Sequence, residues 1–124
     1  MMTRLFVIAG SASACIAVAL GAFAAHALKT RLSADSLGVF ETGVRYQLYH
    51  ALALFVVAWV ASQYPHAQLP VAGWLFIVGT VLFSGSLYAI SLTDARWLGV
   101  LTPLGGLCFL AGWAWLAWCV WKSS

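Results

Sequence analysis

Two histidines, His26 and His50, are the side chains in this sequence whose type and placement could do chemistry. Each lies at the boundary between an apolar segment and the charged stretch of residues 29–45. Imidazole transfers protons near neutral pH and is a common metal ligand. If the two histidines lie at similar depth on neighbouring helices, they could bind a metal together with Glu41 or Asp94, or they could bind a haem or a quinone.

A structural interpretation competes with this one. His26 lies about one helical turn from Lys29, and His50 lies little more than one turn from Arg45, so both could reach lipid head groups or bond a neighbouring helix. The sequence contains no HExxH motif, no CxxC pair, no Ser-His-Asp order and no phosphate-binding loop. We therefore predict that the protein is not an enzyme, and we assign it no metal and no cofactor.

The elements that carry these residues are expected to be membrane-spanning helices. Charged residues make up 7% of the chain and hydrophobic residues 64%, whereas a soluble domain has about 25% charged residues. A helix needs about 20 apolar residues to cross a bilayer, and the weakly charged blocks supply four of them, at about 5–28, 44–63, 71–92 and 97–121. The expected fold is an all-α membrane protein, a single domain of four transmembrane helices in an up-and-down bundle.

The link between the first two spans predicts a further element. Ser33 can cap a short helix whose apolar side chains, including Leu37 and Phe40, recur at helical spacing. We expect this segment to be a short interfacial helix between spans one and two. Glu41 and Arg45 are four residues apart with the acid first, so they are expected to form an ion pair.

In an up-and-down bundle the ends of spans one and three meet the starts of spans two and four on one side of the membrane. That side collects most of the polar side chains, which are costly in lipid and tend to face a bundle interior or a watery cavity. Thr102 and Pro103 are expected there as the cap and first residue of the fourth helix. The candidate site at this polar end comprises His26, Glu41, Arg45, Tyr46, Gln47, Tyr49, His50, Ser84, Ser86, Tyr88 and Thr102.

Small residues recur at spacings of three or four along the first span, and glycines stand in the third and fourth. Such residues let helices approach closely within a membrane. The residues expected to serve helix packing are Gly10, Ala14, Ala17, Gly21, Gly85, Gly105, Gly106 and Gly112. The net charge of +3 comes from basic residues at segment ends, where they meet the lipid bilayer, so nucleic acid is not an expected partner.

Four segments carry a family resemblance. They are Gly21-Ala-Phe-Ala-Ala-His-Ala-Leu28, Tyr46-Gln-Leu-Tyr-His50, Gly79-Thr-Val-Leu-Phe-Ser-Gly-Ser-Leu-Tyr88 and Thr102-Pro-Leu-Gly-Gly-Leu-Cys-Phe-Leu-Ala-Gly-Trp113. Together they resemble the YgdD-like small integral membrane proteins, a family catalogued as a domain of unknown function, over nearly the whole chain. A small departure is Ala24, where that family typically has glycine. The resemblance implies four spans in a bacterial inner (plasma) membrane, and it implies no established activity.

Three functions remain open at this point. The first is a non-enzymatic membrane protein that acts as a homo-oligomer, or as an accessory or scaffold subunit of a membrane protein partner. The second is binding of a metal, haem or quinone at His26 and His50, and the third is a small-solute pathway within an oligomer. A count of basic residues favours a cytoplasmic polar end, but similar proteins often carry a more basic C-terminus, and both termini are expected in the cytoplasm.

Overall fold

Four long α-helices make up most of the protein. The structure, a computed structural model, describes residues 1–65 and 67–123. The helices are α1 (Met2–His26), α2 (Ala34–Gln63), α3 (Pro70–Thr93) and α4 (Leu101–Lys122), and two short 3-10 helices, Leu28–Thr30 and Arg96–Val100, precede α2 and α4. The described residues contain no strand. All four helices are long and apolar enough to cross a membrane, so the predicted all-α four-helix fold is confirmed.

Helix α2 is longer than a single span requires. Its 30 residues extend over about 45 Å, compared with about 30 Å for a hydrocarbon core. Ser33 caps it as expected, accepting a hydrogen bond of 3.2 Å from the backbone N–H of Ser36. The prediction of a separate interfacial helix is wrong, because no residue interrupts the helix after this cap and its first turns bury Phe40 against Ala24 and Leu28.

Two further local expectations require correction. Arg45 donates to the hydroxyl of Thr42, one turn away, at 3.2 Å. Within the described chain the only ion pair joins Arg96 and Asp94, at 3.5 Å on the exposed surface, so the predicted pair of Arg45 with Glu41 does not form. The nearby hydroxyl gives the guanidinium a hydrogen bond without the entropy cost of fixing a second long side chain.

The start of α4 also differs from the prediction. The helix begins at Leu101, directly after the 3-10 helix, and no side chain caps it. Thr102 therefore lies inside the first turn, and its hydroxyl bonds across to Ser86 on α3 at 2.6 Å. Helix α3 ends at Thr93, and the residue that caps it, Asp94, has a φ of 57°, in the left-handed region. Aspartate tolerates that conformation better than most residues do, and it stops the helix there.

The helices form an antiparallel bundle in which the most extensive packing joins neighbours in the chain: α1 with α2, α2 with α3, and α3 with α4. The residues of α1 that face the rest of the bundle form a seam, along which the spacing alternates between four and three residues. A 4-3 alternation is typical of helices packed at a small crossing angle. The buried and half-buried residues of this inner seam are Phe6, Gly10, Ser13, Ala17, Leu20 and Ala24.

Glycines set the distance between α3 and α4. A Cβ atom at Gly105 would lie 2.8 Å from the Cα of Phe83, and one at Gly112 would lie 2.6 Å from the ring of Phe76. Both positions therefore allow the two helices to approach more closely than alanine would permit. At Gly106 an added Cβ would meet nothing closer than 3.9 Å, so that residue contributes little to the close approach.

The other residues predicted to serve helix packing differ in how closely a neighbouring helix approaches them. On α1, Gly10 approaches the carbonyl of Ala51 so closely that a Cβ would lie 2.9 Å from it, whereas at Gly21 the nearest atom would be at 3.4 Å. Ala17 is buried and Ala14 is half-buried. For Gly85 the expectation is wrong: the residue is exposed, and an added Cβ would meet no atom within 4 Å.

Candidate functional site

Gln47 is the centre of a polar network that joins α1, α2 and α3. Its Nε2 donates to the backbone carbonyl of Ser13 at 3.0 Å, and its Oε1 accepts a bond of 2.6 Å from the hydroxyl of Tyr88. The side chain is 6% exposed. Because an amide both donates and accepts, this one buried side chain ties α2 to a helix on either side.

Two serine hydroxyls on α3 extend the network towards its other neighbours. Ser84 donates to the backbone carbonyl of Gly43 on α2 at 2.7 Å. Ser86 shares a hydrogen bond of 2.6 Å with Thr102 on α4. Glycine at position 43 makes room for the ring of Tyr88, since a Cβ there would lie 2.8 Å from Cε1 of that ring. Helix α3 is thus joined to α2 and to α4 by buried polar contacts.

His50 joins α2 to α4. Its Nδ1 lies 2.8 Å from the backbone carbonyl of Tyr46, and its Nε2 lies 3.2 Å from the indole Nε1 of Trp113. A carbonyl only accepts and an indole N–H only donates, so Nδ1 carries the proton and Nε2 is the acceptor. The imidazole also stacks on Phe109, with ring centroids 3.5 Å apart. Both ring nitrogens of His50 are therefore engaged within the protein.

His26 and His50 lie at different depths. Gln47 is level with Ser13 on α1, and His50 lies almost one turn beyond Gln47, further from the end of α1 that carries His26. Thirteen residues of helix separate Ser13 from His26, which is about 20 Å along the axis at 1.5 Å per residue. His26 is exposed, whereas His50 is buried. The structure does not bring the two histidines together, so a ligand shared between them is not supported.

The remaining residues of the predicted polar end lie outside this network. Glu41 is half-buried, and Arg45 and Tyr49 are exposed. Tyr46 is partly exposed, and its ring packs on Phe83 of α3 with centroids 4.7 Å apart. The polar residues thus form separate contacts at several depths between helices, and they do not converge on one point at the end of the bundle.

Three participants were absent from the predicted set: Ser13, the carbonyl of Gly43 and Trp113. Ser13 is the polar member of the inner seam of α1, so its periodicity with Gly10 and Ala17 is a signal that could have identified it. Trp113 belongs to a run of tryptophans whose usual role is an interface anchor, and nothing in the sequence marks it as the partner of a histidine.

The chemistry of the network is hydrogen bonding between helices. No buried side-chain nitrogen or oxygen in residues 1–65 and 67–123 lacks a partner. Over the same residues, no three side chains of His, Cys, Asp or Glu lie close enough to hold one metal ion. Hydrogen bonds of this kind within a membrane contribute about 0.6 kcal/mol each on average, and up to about 1.7 kcal/mol. Their combined effect is to fix the rotation and register of all four helices.

The fold and this network define an integral membrane protein whose buried polar groups are paired between helices. The chain belongs to the DUF423 family, described as a protein of unknown function, whose model matches residues 20–106.

Named relatives place the protein in a membrane. It is 48% identical over 111 residues to the UPF0382 membrane protein YwdK of Bacillus subtilis, covering 89% of this chain and 90% of the relative. It is 42% identical over 110 residues to a UPF0382 membrane protein of Staphylococcus epidermidis, covering 89% of each. With the UPF0382 inner membrane protein YgdD of Escherichia coli it shares 40% identity over 114 residues, covering 92% of this chain and 87% of the relative. No solved structure matches. The protein is a multi-pass protein of the bacterial inner (plasma) membrane.

Proposed function

We propose that the protein is a non-enzymatic membrane subunit that works as a homo-oligomer, assembled through the outer face of α1. The observation that carries this proposal is the one-sided packing of α1. In an apolar 18-residue window of each span, 17% of residues are buried for α1, compared with 44% for α2, 28% for α3 and 22% for α4. Helix α1 packs along its length against α2 and reaches α3 through Phe6, whose ring lies against Gly73 and Trp74, so its opposite face is left for lipid or for another protein chain.

The outer face of α1 has the composition of a packing surface. Its exposed residues repeat the 4-3 alternation of the inner seam, displaced by two positions, which is about 200° around the helix. The residues of this outer seam are Ile8, Ala12, Cys15, Ala19, Ala22 and His26. Four of them are small, and small residues are enriched where helices meet within a membrane because they let the backbones approach.

A second copy of the chain is the partner that this face fits best. The segment from Ile8 to Ala22 carries no charge, so two copies can meet without burying like charges. In a two-fold dimer whose axis is normal to the membrane, each residue of the seam faces its own counterpart at the same depth. His26, at the end of the seam, would then lie beside the partner's histidine near the head groups.

Cys15 lies within the outer seam and provides the test. We expect oxidation of native membranes with copper phenanthroline to link two chains into a band at twice the 13.3 kDa monomer mass. The band should be lost in Cys15→Ser and kept in Cys108→Ser. For a matched control, Ile16→Cys is introduced into Cys15→Ser. Ile16 is also exposed and lies at nearly the same depth but about 100° around the helix, so this variant should link poorly.

Three outcomes would contradict the proposal. If Ile16→Cys links as well as native Cys15, the contact reflects random collision in the membrane. If the purified protein in mild detergent has the mass of one chain by light scattering with detergent correction, no stable homo-oligomer exists. A larger particle that contains a different protein in fixed ratio would identify an accessory subunit and would also refute self-association.

A further inference from the structure

A cavity of about 630 Å³ opens at the end of the bundle opposite the predicted polar end. It lies between the loop that joins α2 to α3 and the last turns of α4. Its volume falls within the range of about 300 to 1,000 Å³ that is usual for small-molecule sites. The lining residues that matter for binding are Gln63, Tyr64, Gln68, Trp115, Trp118 and Lys122.

The cavity wall is held in place by the protein itself. The indole Nε1 of Trp115 donates to the backbone carbonyl of Gln68 at 2.8 Å, which ties the loop to α4. Leu69, the next residue of the loop, is fully buried. These two contacts hold Gln68 and Leu69 against the bundle at one edge of the opening.

The chemistry of the lining combines one cation, several neutral polar groups and aromatic surfaces. Lys122 is the only charged residue among the described residues that line the cavity. Its Nζ lies 5.9 Å from the ring centroid of Trp118, within the range of a cation–π contact. Tyr64 adds a hydroxyl, and Gln63 and Gln68 add amides. The carbonyl ends of α2 and α4, which carry negative partial charge, also face this end of the bundle, so among the described lining side chains the ammonium group of Lys122 supplies the positive charge.

The depth of the cavity matches the lipid head groups. Gln63 and Lys122 are the last residues of α2 and α4, so the cavity lies where these helices leave the hydrocarbon region. Tryptophan and tyrosine are enriched at this depth because their rings are apolar and their N–H or O–H groups are polar. A ligand with an anionic group at one end and acyl chains at the other would satisfy both parts of the lining.

We propose that this cavity binds the phosphodiester head group of a phospholipid, with the phosphate paired to Lys122 and the glycerol backbone packed on Trp115 and Trp118. Gln63, Gln68 and Tyr64 supply hydrogen-bond donors to the head-group oxygens. The acyl chains extend from the cavity along the apolar surface of α4. This site is independent of the outer face of α1 and therefore of the proposed oligomer.

The test measures binding of dioleoylphosphatidylglycerol to the full chain in mild detergent by native mass spectrometry. Removing a charge-assisted hydrogen bond through Lys122→Gln should weaken binding about tenfold, equivalent to about 1.4 kcal/mol. Arg4→Gln is the matched control, because Arg4 is exposed at the same end of the bundle, is not among the lining residues and carries the same charge. It should change binding less than about twofold. A second variant, Ala67→Phe, places a large side chain at a lining position and should block binding without altering charge.

Each other result overturns the proposal. Equal weakening by Lys122→Gln and Arg4→Gln would show diffuse electrostatic attraction without a site. Unchanged binding in both Lys122→Gln and Ala67→Phe would place the lipid elsewhere. If inorganic phosphate alone binds and competes with the lipid, the ligand is a free anion. If dioleoylglycerol, which has the same chains and no phosphate, binds as tightly, the cavity recognises only apolar surface.

Discussion

Substituting Gly105 by alanine should separate α3 from α4. The added Cβ would lie 2.8 Å from the Cα of Phe83, while ordinary contact begins at 3.4 Å. The difference requires the two backbones to move apart by about 0.6 Å or more. Because the obstacle is backbone, a change of rotamer cannot relieve it. The hydrogen bond between Ser86 and Thr102, now 2.6 Å, lies one turn away and would lengthen with the same movement.

The expected cost follows from a matched comparison with Gly85→Ala. Both glycines lie within helices, so the gain in helix propensity of up to about 1 kcal/mol is the same for each and cancels in the comparison. Gly85 is exposed and has no atom within 4 Å of an added Cβ. The remaining difference is the packing strain at Gly105. Overpacking of this kind costs about 1–3 kcal/mol, so Gly105→Ala should be less stable than Gly85→Ala by that amount.

The assay is reversible unfolding in mixed micelles of a mild detergent and sodium dodecyl sulfate, followed by circular dichroism. The free energy of unfolding is compared between Gly105→Ala, Gly85→Ala and the native chain. Gly85→Ala should match or slightly exceed the native stability. Equal stability of the two variants would refute the close packing of α3 on α4 at Gly105, and with it the assignment of that glycine.

Two further predictions concern the polar network. In a double-mutant cycle, Gln47→Leu and Tyr88→Phe should each lower the free energy of unfolding. The double variant should lose less than the sum of the two single losses, with a coupling energy of about 0.6–1.7 kcal/mol. Zero coupling would contradict the 2.6 Å hydrogen bond between the two side chains. Trp113→Phe removes the donor to Nε2 of His50 and keeps an aromatic ring. The carbonyl of Tyr46 still accepts from Nδ1, so nitrogen NMR of labelled protein should show the Nδ1-protonated tautomer in both chains and a downfield shift of the Nε2 resonance in the variant; an unchanged Nε2 resonance would contradict the hydrogen bond from Trp113.

The number and type of the helices could be predicted because both follow from composition. Long apolar blocks in lipid have to form helices that satisfy their own backbone groups, and the Ser33 cap is a local pattern that needs no tertiary knowledge. Gly85 shows the limit of such arguments. A glycine in a membrane helix allows another helix to approach closely. Whether another helix lies against that glycine depends on how its own helix is rotated, and the residues around Gly85 in the sequence do not specify that rotation.

The depth of the histidines could not be predicted for a related reason. Lys29 and Arg45 suggest a common membrane surface, and His26 and His50 lie similar distances from them along the chain. Helix α2, however, begins at Ala34, so Arg45 lies about 16 Å along it at 1.5 Å per residue. A long basic side chain can extend along a helix and keep its charge in the head groups. A basic residue therefore marks the membrane surface only to within about three helical turns.

The polar network and the outer seam of α1 are linked by rotation of that helix. The inner seam of α1 consists largely of small or apolar residues, and contacts between such residues discriminate weakly between neighbouring rotations. The bond from Gln47 to the carbonyl of Ser13 adds a directional constraint at the middle of the helix, because an unpaired buried amide is costly in lipid. Fixing Ser13 towards α2 also fixes Cys15, two positions on and about 200° around the helix, towards the outside. A buried glutamine without catalytic partners therefore has a function in the proposed oligomer: it orients the surface through which a second copy would bind.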